Sequence, residues 1–197
     1  MDLQISVFLL FILFTAGHSL SCYGCLLGSC TQTTCSSGFT NCSSLTYADN
    51  ATVGKIRGCV PASSCVNGFV SFGSVKASTS CCNTDLCNSQ DAPEPSNTPN
   101  GKKCYSCNGL TIQNCTNVLS CSETEDRCFK AGTGVNQTDV VKGCASKSVC
   151  DAAPAAEASF NIGNFTCCEG NLCNSAQSVS QSFLFLCCSL LSYFLLH

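Results

Sequence analysis

Histidine is almost missing from this sequence: 197 residues hold two, His18 and His197, one near each end. Charge is scarce as well, with Asp, Glu, Lys and Arg together at 11 % and a formal net charge of −3. No apolar run reaches the roughly 20 residues an α-helix needs to cross about 30 Å of hydrocarbon. Each shortage excludes something. Without histidine between the ends there is no Ser-His or Cys-His nucleophile and no imidazole ligand for zinc. Nine basic residues against twelve acidic ones leave no nucleic-acid footprint.

Cysteine is what the chain has in excess, 22 residues of 197. At that density in small domains cysteine is covalent scaffolding, because too little apolar surface can be buried. Such bridges persist in an oxidising compartment, so an export signal is expected. Ile5 to Thr15 (ISVFLLFILFT) is an apolar run followed by Ala16-Gly17-His18-Ser19. This predicts a signal peptide over 1–19, cleaved after Ser19, although its n-region carries Asp2 and no Lys or Arg. A transmembrane helix is the competing reading, and the run is short for one.

The C-terminus repeats the logic. Phe183 to Leu196 (FLFLCCSLLSYFLL) is again short for a span and has no basic cluster after it. A polar spacer, Gln177 to Ser182, precedes it, and before that stands the small trio Asn174-Ser175-Ala176. Together these are an attachment signal for a glycosylphosphatidylinositol (GPI) anchor, with Asn174 or Ser175 as the attachment residue and 175–197 as the removed propeptide. Cys187 and Cys188 leave with the tail, so 20 cysteines, an even number, remain in the mature chain.

Those cysteines form two sets of ten: Cys22, Cys25, Cys30, Cys35, Cys42, Cys59, Cys65, Cys81, Cys82 and Cys87, then Cys104, Cys107, Cys115, Cys121, Cys128, Cys144, Cys150, Cys167, Cys168 and Cys173. Each set opens with CYxC and closes with CCxxxLCN, and the other gaps differ by zero to three residues. That is an internal duplication, with variable loops between fixed cysteines. It places one domain at 20–88 and a second at 104–174. Between them 89–103 (SQDAPEPSNTPNGKK), with three prolines and no large apolar residue, reads as a solvated, semi-extended linker that joins no core. Gly68–Phe72 and Thr138–Val141 have strand composition, and Ala152–Ala158 (AAPAAEA) allows a short helical turn despite Pro154. The fold class is small, all-β and disulfide-rich.

The CYxC opening, the CCxxxLCN close and ten cysteines per repeat resemble the lymphocyte-antigen-6 and urokinase-receptor family. Its module, the LU domain, is a three-finger fold related to snake neurotoxins, so the resemblance implies two such domains in tandem. Spacing alone leaves the pairing open. The resemblance implies Cys22–Cys42, Cys25–Cys30, Cys35–Cys59, Cys65–Cys81 and Cys82–Cys87 in the first domain. In the second it implies Cys104–Cys128, Cys107–Cys115, Cys121–Cys144, Cys150–Cys167 and Cys168–Cys173. Asn88 and Asn174 match a family asparagine that hydrogen-bonds within the knot. The implied fingers run from 26 to 38, 43 to 58 and 66 to 80, then from 108 to 120, 129 to 143 and 151 to 166. The urokinase receptor has three domains and its first lacks the Cys65–Cys81 equivalent, which sets this chain apart from it.

Site chemistry points the same way. CxxC pairs are redox or metal motifs in a cytosolic protein, but here every cysteine has a partner. The acidic run Glu123-Thr124-Glu125-Asp126 matches no calcium loop and reads as a solvated face. Charge differs between the domains, with Lys55, Arg57 and Lys76 against Asp49 and Asp85 in the first and seven acidic against four basic residues in the second. Five N-glycosylation sequons start at Asn41, Asn50, Asn114, Asn136 and Asn164, and cysteine in the middle position weakens Asn41 and Asn114. Leu26, Leu27, Leu110 and Ile112 in the first fingers are candidate ligand contacts, or else pack on the neighbouring finger. The expectation is a non-enzymatic, GPI-anchored protein on the outer leaflet, without cofactor, metal or small-molecule substrate, that binds an extracellular protein ligand. The alternative is a secreted enzyme inhibitor like the gamma-type phospholipase A2 inhibitors.

Overall fold

The computed structural model describes residues 19–26, 29–107, 115–133, 139–160 and 163–175. The chain divides into two compact units, Met1–Gly68 with Lys76–Pro95, and Phe69–Val75 with Ser96–His197. Unit membership therefore does not follow the cysteine repeats. The tip of what the repeat makes the third finger of the first domain, Phe69–Val75, groups with the second unit.

In the first unit the central strand is β3 (Asn41–Asp49). It pairs antiparallel with β4 (Thr52–Val60), from Asn41↔Val60 to Asp49↔Thr52, around a two-residue turn at Asn50-Ala51. Its other edge takes β6 (Val75–Cys82), from Cys42↔Cys82 to Ala48↔Lys76. A hairpin of β1 (Ser21–Leu26) and β2 (Ser29–Thr34) meets β4 at Cys25↔Arg57. Side chains alternate across β3, as the strand period requires, and Cys42, Ser44 and Thr46 face inward and are buried. Buried small hydroxyls in place of valine or leucine need a partner. The chain beyond the last cysteine of the repeat supplies it.

Ser44 Oγ donates to the Gln90 carbonyl at 2.9 Å, Thr46 Oγ1 to the Ala92 carbonyl at 2.8 Å, and Ser78 Oγ to the Pro93 carbonyl. Gln90–Pro95 is thus a strap laid over the β4-β3-β6 face, with Ala92 only 2 % exposed. This corrects the reading of 89–103 as wholly solvated. The strap lies in no β-ladder, so its carbonyls need partners from elsewhere, and the inward hydroxyls supply them. Charge fastens the strap. Asp91 Oδ1 accepts from Arg57 Nη2 at 2.5 Å and Nε at 3.2 Å, while Lys55 Nζ lies 3.0 Å from Asp91 Oδ2. Arg57 Nη1 also donates to the Ser89 carbonyl at 2.8 Å.

In the second unit β7 (Pro99–Ser106) pairs with β8 (Asn117–Ser122), and β9 (Arg127–Thr133) lies between β10 (Asp139–Ala145) and β11 (Gly163–Cys168). The far edge of β10 is filled by β5 (Gly68–Phe72), through Cys144↔Ser71 and Ala145↔Val70. Gly143 makes this pairing possible, since a Cβ there would stand 2.0 Å from the Ser71 carbonyl oxygen. Phe129, stacked on Phe165 with centroids 5.1 Å apart, packs with Ala131 and Ala145 against Val70, Phe72, Val141 and Val149.

The helical turn expected at Ala152–Ala158 is a 14-residue helix, α1 (Lys147–Phe160). Asp126 Oδ1 accepts from the Lys147 backbone N–H at 2.8 Å, placing a carboxylate at the positive end of the helix. Lys147 and Asp151 add an (i, i+4) ion pair.

The strap yields a pH test. Hydrogen bonds from Arg57 and then Lys55 hold the Asp91 carboxyl below its ordinary value of 3.8. A carboxyl lowered in the folded state adds stability above its unfolded pKa and loses it as pH falls through the folded value. The stability advantage of the native chain over Asp91→Asn is therefore expected to hold at about pH 6 and to shrink as pH falls below 3.8 in thermal melts of the oxidised protein. A difference that stays constant across that range contradicts the assignment.

Candidate functional site

Ten disulfides join Cys22 to Cys42, Cys25 to Cys30, Cys35 to Cys59, Cys65 to Cys81 and Cys82 to Cys87, then Cys104 to Cys128, Cys107 to Cys115, Cys121 to Cys144, Cys150 to Cys167 and Cys168 to Cys173. At each base two bridges cross in contact. Cys22 Sγ lies 3.2 Å from Cys35 Sγ, and Cys104 Sγ lies 3.4 Å from Cys121 Sγ. Cys104, Cys121, Cys128 and Cys144 are all fully buried, with Leu119, Cys168 and Cys173 packed against them. In the first unit Cys22, Cys35 and Cys42 are buried under Leu20, Cys59, Cys82 and Cys87. The trios Cys22/Cys35/Cys59 and Cys104/Cys121/Cys144 are close enough to hold a metal. Every sulfur in them is in a disulfide, so none offers the thiolate that a metal requires.

An asparagine closes each knot. Asn88 Oδ1 accepts from Tyr23 N–H at 2.9 Å, and its Nδ2 donates to the Tyr23 carbonyl at 2.9 Å and the Ser43 carbonyl at 3.0 Å. Asn174 does the same with Tyr105, accepting at 2.9 Å and donating at 2.9 Å, and donates also to the Phe129 carbonyl at 2.8 Å and the Gly143 carbonyl at 3.5 Å. Both amides are 4 % exposed. Each clamp ties the first strand of its repeat to the central one.

The acidic run is not one face. Glu123 and Asp126 are exposed, but Glu125 is 1 % exposed. Its Oε2 accepts from Ser122 N–H at 2.8 Å and its Oε1 from the Ser71 hydroxyl at 2.5 Å. Asn100 Nδ2 spans the same turn, donating to the carbonyls of Ser122, Glu123 and Glu125. The carboxylates serve separate structural contacts and converge on no common point. Sequence reading missed Glu125 because nothing in the run marks the middle acid as inward.

Of the predicted contact residues, Leu26 ends β1 opposite Ser29. Leu27, Leu110 and Ile112, and the sequon residues Asn114 and Asn136, lie outside the described residues. Asn50 is exposed at the β3–β4 turn. Asn164 is exposed at the irregular start of β11, in left-handed backbone with φ 51°. Asn41 is half-buried, its Oδ1 accepting from Thr40 Oγ1 at 2.9 Å, and the next residue is the fully buried Cys42. Among the described residues the exposed large apolar ones are Phe39, Val53, Ile56 and Val118, at 42, 56, 38 and 55 %. Two of them are on β4. Ile56 pairs with Leu45 on the face opposite the strap, where the Tyr47 ring lies over Gly54.

Crossed bridges, an amide clamp and β-fingers on a covalent base define a pair of small, disulfide-knotted all-β modules. The chain belongs to the snake toxin and toxin-like protein family, whose model matches residues 20–88 and again 103–174, and its domains are of the lymphocyte-antigen-6/urokinase-receptor three-finger type. It is 36 % identical over 105 residues to the urokinase plasminogen activator surface receptor of Bos taurus, covering 48 % of this chain and 31 % of the receptor. Against the receptor of Aotus trivirgatus it is 33 % identical over 135 residues, covering 61 % and 39 %. It is also similar to a phospholipase A2 inhibitor of the gamma type from Elaphe climacophora, 35 % identical over 85 residues, covering 39 % and 42 %. Mouse TEX101 is a structural match at 18 % identity and a TM-score of 0.27, covering 71 % of this chain and 84 % of that one. The chain spans 31–39 % of the length of these receptor relatives.

The clamp predicts a large effect from one amide. Asn88→Ala leaves one N–H and two carbonyls without their partner, and buried polar groups left unpaired cost about 1–3 kcal/mol each before water enters. A loss of about 3 kcal/mol is expected in chemical denaturation of the oxidised protein. An effect within about 0.5 kcal/mol contradicts the clamp's role.

Proposed function

We propose that this protein is a non-catalytic, GPI-anchored receptor or adhesion protein of the cell surface, which binds an extracellular protein ligand through its fingers. The observation that carries the reading is the finger built by β3 and β4. One of its faces is closed by the strap, while the opposite face presents Ile56, 38 % exposed, on a base that the crossed bridges hold. A rigid, preformed apolar surface binds at little ordering cost. A glycan on the exposed Asn50 would shield the tip and leave the flank for contact. Similarity to a protein named as a surface receptor supports the reading, as do the signal peptide at 1–19 and the attachment signal read from the sequence. Among the described residues no helix is long and apolar enough to cross a membrane.

The similarity to a phospholipase A2 inhibitor favours a second reading, a secreted inhibitor that acts in solution. One experiment separates the two. Phosphatidylinositol-specific phospholipase C is expected to release the protein from expressing cells, and Ile56→Glu in the released ectodomain to weaken binding to ligand-bearing cells at least about tenfold without lowering its melting temperature. Protein that appears in the medium without the enzyme supports the inhibitor. Unchanged binding by Ile56→Glu removes the flank from the proposal.

A further inference from the structure

We infer that the anchor is attached at Ser175, and that Asn174 is withheld from attachment by its place in the second knot. The inference rests on the anchored reading above and chooses between the two residues that the sequence leaves open.

Anchor attachment is an acyl exchange. The peptide bond after the attachment residue breaks, its carbonyl carbon passes to the amine of ethanolamine phosphate, and the chain beyond leaves as a free amine. No oxidant or reductant is consumed. The enzyme must hold the attachment residue with its side chain in its own pocket and the scissile bond exposed. Asn174 cannot be presented that way in the folded unit. It is 4 % exposed, and its amide joins β7, β9 and β10 through the carbonyls of Tyr105, Phe129 and Gly143 and the Tyr105 N–H. Withdrawing it strands three carbonyls and one N–H at the centre of the knot.

Ser175 is exposed and is the first residue beyond the clamp. Its acyl carbon stands one peptide unit further from the knot. The surroundings suit the product too. Ser175 helps to wall a cleft of about 540 Å³ with Lys130, Asn164, Thr166, Cys168, Cys173 and the edge of the clamped Asn174, and no carboxylate is among the lining residues. Thr166 and Lys130 are register partners on β11 and β9, so their side chains share one face. A phosphodiester attached at Ser175 therefore emerges beside Lys130, in a cleft that no carboxylate lines.

The test is mass spectrometry of protein released from cells by phospholipase C, after reduction and cleavage at Glu169. The expected C-terminal peptide is Gly170–Ser175 bearing ethanolamine phosphate and the anchor glycan that phospholipase C leaves on it. A modified peptide ending at Asn174, or at Ala176 or beyond, overturns the assignment while leaving the anchored reading intact. An unmodified C-terminus on the membrane-bound protein overturns the anchored reading and this inference with it. Ser175→Leu is the independent check: cell-surface protein is expected to fall at least tenfold while the secreted, correctly bridged form rises by a similar factor. Surface protein unchanged by Ser175→Leu also overturns the assignment.

Discussion

The pair of crossed disulfides at the base of each repeat is the constraint on which everything else depends. The largest fully buried side chains among the described residues are Glu125 and Thr46, followed by cystines and serines. A core of that kind buries little hydrocarbon, and transfer free energy scales with the apolar area removed from water. Closure of the chain substitutes for it. Each bridge restricts the unfolded ensemble by about 2–4 kcal/mol taken alone, less than additively in a knot. Because Cys22–Cys42 touches Cys35–Cys59, and Cys104–Cys128 touches Cys121–Cys144, the bridges also fill the space that leucines fill elsewhere. Scaffold and core are the same atoms.

A knot of sulfur fixes where strands start but leaves backbone polar groups at its centre, and the two asparagines answer that need. Each amide offers one acceptor and two donor hydrogens, which match the N–H and carbonyl of the tyrosine in CYxC and carbonyls of neighbouring strands. Aspartate keeps the size but loses the donors. The clamp is therefore specific to asparagine, and it couples the last residue of each repeat to its first strand.

The fold was legible because cysteine spacing is a long-range signal: CYxC and CCxxxLCN carry information about contacts some 65 residues apart, which no local propensity holds. The features that were not legible have physical causes. Residues 89–95 have the composition of a solvated linker, and only the structure shows that Ser44, Thr46 and Ser78 point up at their carbonyls. Serine and threonine at alternate positions of a central strand were the available signal, since an inward hydroxyl without a partner is costly. Glu125 was hidden for the opposite reason: its run looks like any exposed acidic turn, and its burial depends on Ser71, 54 residues earlier. The exposed Val53 and Ile56 had no marker either, because an apolar residue on a strand is read as inward until its neighbours are known.

The strap also explains why one finger face is spent and the other is left open. Arg57, with a side chain 15 % exposed, binds Asp91 through two nitrogens and the Ser89 carbonyl through a third. Lysine, a point charge on a flexible stem, cannot bridge both groups from one position. One arginine therefore sets where the strap lies, and the hydroxyl row of Ser44, Thr46 and Ser78 sets its register. Once that face is covered, the flank bearing Ile56 needs no role in holding the unit together. Its side chain can change without disturbing knot, clamp or strap, and freedom of that kind is what a recognition surface requires. On the proposed reading, fold and recognition are thereby separated within a single hairpin.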